Sequence, residues 1–219
     1  MRTISIDARR KVIVITDPRE ARKFIEYLSS LLPKALVALD FETTGLFPRE
    51  RGKDQHSGAR VRLTNISWNE TTAYILAHDY CGSFYSLVDD MIDARSEYYV
   101  FHAPFETKWF DAFCDEEKYV RLFDVANMRK SVQGGGPLSL KTMVKYDLDI
   151  DMMKEGQLSD WSAEKLTDEQ YIYAGLDAIY THRLAALWSA KMNDGHWQGF
   201  HNINNSVGRL TKQKTQGFY

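Results

Sequence analysis

The chain of 219 residues is 44% hydrophobic and carries a formal net charge of −2. That is enough apolar material for one sizeable α/β domain with its own core, and it excludes the global positive field of a protein that holds nucleic acid by charge alone. Two cysteines, Cys81 and Cys114, lie far apart and outside any CxxC spacing, so they read as free thiols of a reducing compartment. No apolar run is long enough to span a bilayer and no signal pattern opens the chain, so the expectation is a cytoplasmic protein with no membrane partner.

In chain order, Lys11 to Thr16 reads as a strand. Asp17-Pro18-Arg19-Glu20 then predicts a helix start, with Asp17 as N-cap, Pro18 at the first helical position and Glu20 completing a capping box. Phe24, Ile25, Leu28, Leu31 and Leu32 give that helix an apolar face, and Pro33 stops it. Ala35 to Phe41 is the most apolar strand-like run. The polar stretch from Pro48 to Gly58 reads as a loop, and Val61 to Trp68 and Thr72 to Leu76 as strands joined by a turn at Asn69-Glu70. Tyr98 to Phe101 is a short buried strand, and Ala103-Pro104-Phe105-Glu106 starts a helix with Pro104 at its first position. Gly134 to Pro137 is a hinge or loop, and Ser139 caps the next helix. Thr167 to Gln170 is a second capping box. It opens a long helix to about Ala190, with Ile172, Leu176, Ile179 and Leu187 turned inward. Residues 1–192 are taken as one domain and 193–219 as a polar C-terminal tail.

Asp40 and Glu42 close the apolar run. A strand has a period of two, so both carboxylates face the same side. Two like charges at the end of a buried strand repel each other and are costly to desolvate, which calls for a cation; a divalent metal bound by oxygen ligands is the candidate. On the long helix, Tyr173 and Asp177 are four apart and share a face, and Gly175 between them lets a backbone or a ligand approach closely. Asp124 reads as a structural hydrogen-bonding group. Trp109, Trp161 and Trp188 read as core or edge packing.

Three segments resemble the motifs of the DEDD 3′–5′ exonucleases, in the correct order. Leu39-Asp40-Phe41-Glu42-Thr43-Thr44-Gly45-Leu46 is similar to the first motif, and Phe101-His102-Ala103-Pro104-Phe105-Glu106 to the second. Tyr173-Ala174-Gly175-Leu176-Asp177-Ala178 is similar to the third motif of the tyrosine subclass. Leu122-Phe123-Asp124-Val125 and Leu138-Ser139-Leu140-Lys141-Thr142-Met143 match intervening stretches, so the resemblance covers roughly residues 10 to 190. The nearest look is the proofreading domain of phage-like enzymes of the DNA polymerase I family, which suggests a bacterial or phage-infected cell.

The resemblance implies a ribonuclease H-like α/β fold of the DnaQ type, a mixed sheet flanked by helices. It implies hydrolysis of phosphodiester bonds at single-stranded DNA 3′ ends, in proofreading, beside a polymerase domain or subunit, with residues 193–219 as a tail or as the start of a connection to that polymerase domain. Two divalent ions, Mg²⁺ or Mn²⁺, would sit roughly 4 Å apart. Asp40 would bridge them, Glu42 and Asp177 would complete one site, and Glu106 would support the other. Tyr173 would orient the attacking water. The backbone near Thr43 would contact the terminal nucleotide and Leu46 would wedge against its base. Beside the resemblance, His102 reads either as a donor to a substrate phosphate or as a structural histidine at a strand end, and Arg49, Arg51, Lys53, Arg60 and Arg62 read either as phosphate contacts or as a solvated charged loop. Glu106 stands where the family has Asp, and Ala103 where it has Asn, which bears on efficiency and metal preference. The alternatives are an RNase D-like exoribonuclease and a catalytically weakened nucleic-acid-binding module of the same fold.

Overall fold

The structure is a computed structural model and describes residues 1–48, 59–115, 117–136, 138–152 and 159–201. A seven-stranded mixed sheet forms its centre, in the order β1-β2-β5-β4-β3-β6-β7. The strands are β1 (Arg2–Ser5), β2 (Lys11–Ile15), β3 (Ala38–Thr43), β4 (Val61–Ser67), β5 (Thr72–Ala77), β6 (Glu97–Val100) and β7 (Arg121–Asp124). β3, β4 and β5 form an antiparallel meander, whereas β3, β6 and β7 run parallel. This is the mixed α/β sheet with flanking helices that the motifs imply. No helix of the described residues is long and apolar enough to cross a membrane.

Helix α1 (Pro18–Ser30) starts as expected: the Asp17 side chain accepts from the backbone of Arg19 and Glu20. The Glu20 carboxylate pairs with the Met1 amino terminus. Phe24, Ile25 and Leu28 are buried, but Leu32 lies beyond the helix and is 77% exposed. The strand predicted from Ala35 begins at Ala38. Two short elements follow β5: α2 (His78–Cys81) and α3 (Phe84–Ala94). α3 was not anticipated, although Phe84, Leu87, Val88, Met91 and Ile92 form a buried helical stripe.

Helix α4 (Ala103–Phe113) carries Pro104 at its second position rather than its first. Asp124 links α4 to α5 (Val125–Gln133). One of its oxygens accepts from Ala103 N at 3.0 Å and the other from Ala126 N at 2.9 Å, so a single buried carboxylate caps both helices. Ser139 caps α6 (Leu140–Leu148), and the Thr167–Gln170 capping box opens α7 (Asp168–Lys191) with both reciprocal bonds present. Residues 194–201 are also helical. Phe200 there is fully buried, its ring stacked 5.9 Å from that of Phe123.

The two faces of β3 meet different surroundings. Leu39 and Phe41 are buried in the main core with α1, α3 and α4, Phe41 packing against Phe84 and Phe110. Asp40 and Glu42 point to the opposite face, which α7 crosses. Gly175 explains how α7 comes so near the sheet: a Cβ there would sit 2.5 Å from Val12 Cγ2 and 3.3 Å from Ala73 Cβ. The close approach is thus to the sheet, not to a ligand. Gly175→Ala is expected to destabilise the fold by about 1–3 kcal/mol in urea unfolding, because overpacking against short, stiff Val12 outweighs the helix propensity of alanine. Adding Val12→Ala should recover part of that loss.

Candidate metal centre

Topology gathers the acidic residues. β3 and β6 are parallel neighbours, so the segments leaving them emerge at the same edge of the sheet. Asp40 and Glu42 come from the end of β3 and Glu106 from the first turn of the helix after β6. Asp177 comes down from α7, which its close packing on β2 and β5 presses against the same face. Asp40, Glu42 and Asp177 each offer an oxygen, and these oxygens all lie within 4.8 Å of one another. Glu106 is buried at 1% exposure and is not part of that group of three. Burial raises its pKa, and the charge of Asp40 raises it further.

Burial and mutual repulsion set the electrostatics of the cluster. Burial pushes the Asp40 carboxyl up to about 6, against the opposing effect of hydrogen bonds from Asn65 and the Phe41 backbone. Glu42 lies well above the usual carboxylate range, first through burial and then through repulsion from Asp40, Asp177 and Glu106. Asp177 is raised by burial and by Asp40. Glu106 Oε2 and Asp177 Oδ1 are buried without a hydrogen-bond partner. Hard oxygen donors, close together and partly unsatisfied, fit divalent ions such as Mg²⁺ or Mn²⁺.

Tyr173 sits beside Asp177 at this cluster. Burial and the charges of Asp177 and Glu42 raise its hydroxyl above its ordinary value, so it remains a protonated donor at neutral pH. Thr43 donates to the Gly45 carbonyl at 2.7 Å, shaping the turn that leads to Leu46, which is 68% exposed. His102 adopts the left-handed conformation at φ 71° and makes no side-chain cap bond to α4. It lines a cavity of about 230 Å³ with Phe101, Asp124, Asn127, Lys130 and Leu138, a cavity that the three clustered acids do not line.

Two residues take on roles different from, or absent in, the sequence reading. Arg62 is 2% exposed, which rules out the phosphate contact expected of it. The β3–β4 register shifts between Glu42 and Thr43, pairing Glu42 with Leu63 and Thr43 with Val61, so Arg62 is the extra residue of a bulge. Its guanidinium donates to the carbonyls of Trp161 and Ala163 and pairs with Asp79, tying the approach to α7 to the sheet. Arg60 is exposed and paired with Asp79 at 2.9 Å. Arg49, Arg51 and Lys53 lie outside the described residues.

Asn65 is the other case. It stands opposite Asp40 in the β3–β4 ladder, is fully buried, and donates from Nδ2 to Asp40 Oδ2 at 2.9 Å. That bond fixes one oxygen of the central carboxylate. Asn65→Leu is expected to weaken Mn²⁺ binding about tenfold by isothermal titration calorimetry, the usual scale for losing a group that orients a ligand.

The raised carboxyls also set the sign of the pH response. Each binds its proton more tightly folded than unfolded, so stability declines as pH rises from about 4 through 6 and beyond. The chelated protein should therefore melt lower at about pH 8 than at about pH 5, with Mg²⁺ or Mn²⁺ recovering most of the difference. Calorimetry in chelator and in metal checks this; a chelated protein that melts higher at alkaline pH would contradict it.

No curated protein matches the sequence significantly. Solved structures do share the fold. Brucella melitensis NrnC bound to pGG is 23% identical with a TM-score of 0.61, over 84% of this chain and 86% of that one. NrnC is also known with bound Mg²⁺. Escherichia coli RNase D, an exoribonuclease involved in structured RNA processing, is 16% identical with a TM-score of 0.68, over 94% of this chain and 51% of that one. The catalytic core of RRP6 from Trypanosoma brucei is 15% identical with a TM-score of 0.70, over 94% and 53%. The chain thus spans about half of the RNase D and RRP6 chains. The 3′–5′ exonuclease family matches residues 12–191, from β2 to the end of α7, a span that holds Asp40, Glu42, Glu106, Tyr173 and Asp177. The chain belongs to the 3′–5′ exonuclease family.

Proposed function

We propose that the chain is a two-metal-ion 3′–5′ exonuclease that removes nucleotides from single-stranded 3′ ends. The observation that carries this is the convergence of Asp40, Glu42 and Asp177, with orphaned oxygens on Asp177 and on neighbouring Glu106. Asp40 would serve both ions, Glu42 and Asp177 would complete one site, and Glu106 would support the other. Divalent ions bound there would supply positive charge to offset the negative charge on the attacking and leaving oxygens. Tyr173, beside Asp177, orients the attacking water through its hydroxyl. Thr43 and Leu46 hold the terminal nucleotide, and His102 contacts the strand from the start of α4.

The motif resemblance favours DNA 3′ ends, in proofreading beside a polymerase domain or subunit. The second reading is an RNase D-like exoribonuclease, supported by the likeness to RNase D. End-labelled DNA and RNA of matched sequence, digested with Mg²⁺, Mn²⁺ or chelator, separates them. Asp40→Ala is expected to slow hydrolysis at least a hundredfold or so while the circular dichroism spectrum is unchanged. An Asp40→Ala protein as fast as the parent would sink the assignment of the centre, and a clear RNA preference would sink proofreading.

A further inference from the structure

The apolar edge beyond β3 holds a second large side chain next to Leu46. Leu46 and Phe47 follow the β3 turn and are 68% and 71% exposed. The turn that carries them is anchored. Thr44 N donates to Arg60 O at 3.0 Å, and Arg60 N donates to Thr44 Oγ1 at 2.9 Å. Gly45 passes so close to the chain at Ala59 that a Cβ on it would stand 2.9 Å from the Ala59 Cβ. A further tie comes from α4. Lys108 Nζ donates to Leu46 O at 2.8 Å and lies 4.7 Å from the Phe47 ring centroid and 5.0 Å from that of Phe105.

Lys108 is two residues past Glu106. One ammonium therefore joins the turn after Asp40 and Glu42 to the helix that delivers Glu106. It also pins Phe47 while leaving most of the ring open to solvent.

We propose that Phe47 is a stacking platform for the base of the terminal nucleotide and that Lys108 is the positioning residue that presents it. The proposal rests on the exonuclease reading of the adjacent centre. Every base has an apolar π-face, so an aromatic platform takes any terminal nucleotide without reading its identity, as an enzyme that moves along a strand requires. The cation against the ring adds to this: it holds the ring's orientation and brings positive charge toward the strand's phosphates.

The test uses a single-stranded oligodeoxynucleotide with 2-aminopurine at its 3′ end, bound in Ca²⁺, and reads the quench of its fluorescence. The parent and Phe47→Trp should quench it. Phe47→Ala should lose most of the quench and bind roughly five- to a hundredfold more weakly. Lys108→Met, which keeps the aliphatic stem, should lose part of the quench, and Lys108→Arg should retain it. On an oligonucleotide ending in an abasic nucleotide, parent and Phe47→Ala should bind alike. A Phe47→Ala protein that quenches like the parent, or that weakens abasic binding equally, would overturn the platform. Cleavage of the same oligonucleotide by the parent in Mn²⁺ is read alongside. Cleavage with a quench indifferent to Phe47 overturns the platform and spares the exonuclease reading. A Phe47-dependent quench without cleavage supports the platform and overturns that reading.

Discussion

Four carboxylates crowded at one end of a buried sheet are the constraint on which the rest of this structure depends. Repulsion among Asp40, Glu42, Glu106 and Asp177 and their removal from water both oppose folding. No arginine or lysine forms an ion pair with any of the four among the described residues. Among the described residues, neutral groups and backbone N–H bonds hold the acids in place. This is the familiar compromise at functional sites, where local stability is given up for a preorganised centre.

The supports of the centre are neutral or act from a distance. Asn65 contributes an amide from the neighbouring strand. Asp124 anchors the start of α4 through backbone N–H groups, and so holds Glu106 in place without touching it. Arg62 spends its charge on backbone carbonyls and Asp79, which steadies the approach to α7. Gly175 lets α7 lie close enough for Asp177 to reach the strand end. Each of these is a packing or hydrogen-bonding solution to the problem of bringing like charges together.

Local chemistry in the sequence was legible where it repeats at short range. The caps at Asp17, Ser139 and Thr167 located three helix starts, and the alternation in β3 put Asp40 and Glu42 on one face. β1 was not legible, because four residues of an edge strand carry too little pattern. α3 carries a helical signal in its apolar stripe of Phe84, Leu87, Val88, Met91 and Ile92, which the acidic Asp89-Asp90 pair breaks up in the linear sequence. Asn65 and Arg62 could not be read at all without cross-strand register. An Asn inside a strand has no periodic signature, and an arginine after a polar loop looks solvated until a bulge turns it inward. Lys108 likewise acquires meaning only when α4 is laid beside the turn at Leu46.

The ring of Phe200 has a consequence for how this unit can be joined to others. The polar run after Met192 suggested a tail, yet Trp197 and Phe200 close an aromatic cluster around Phe123, on the strand whose last residue, Asp124, anchors α4 and α5. Removing them would open the Phe123 ring to water one residue away from that shared anchor. An engineered junction that cut between Met192 and Phe200 would therefore strip an aromatic cover from β7, whereas one placed after Phe200 would leave the stack on Phe123 in place.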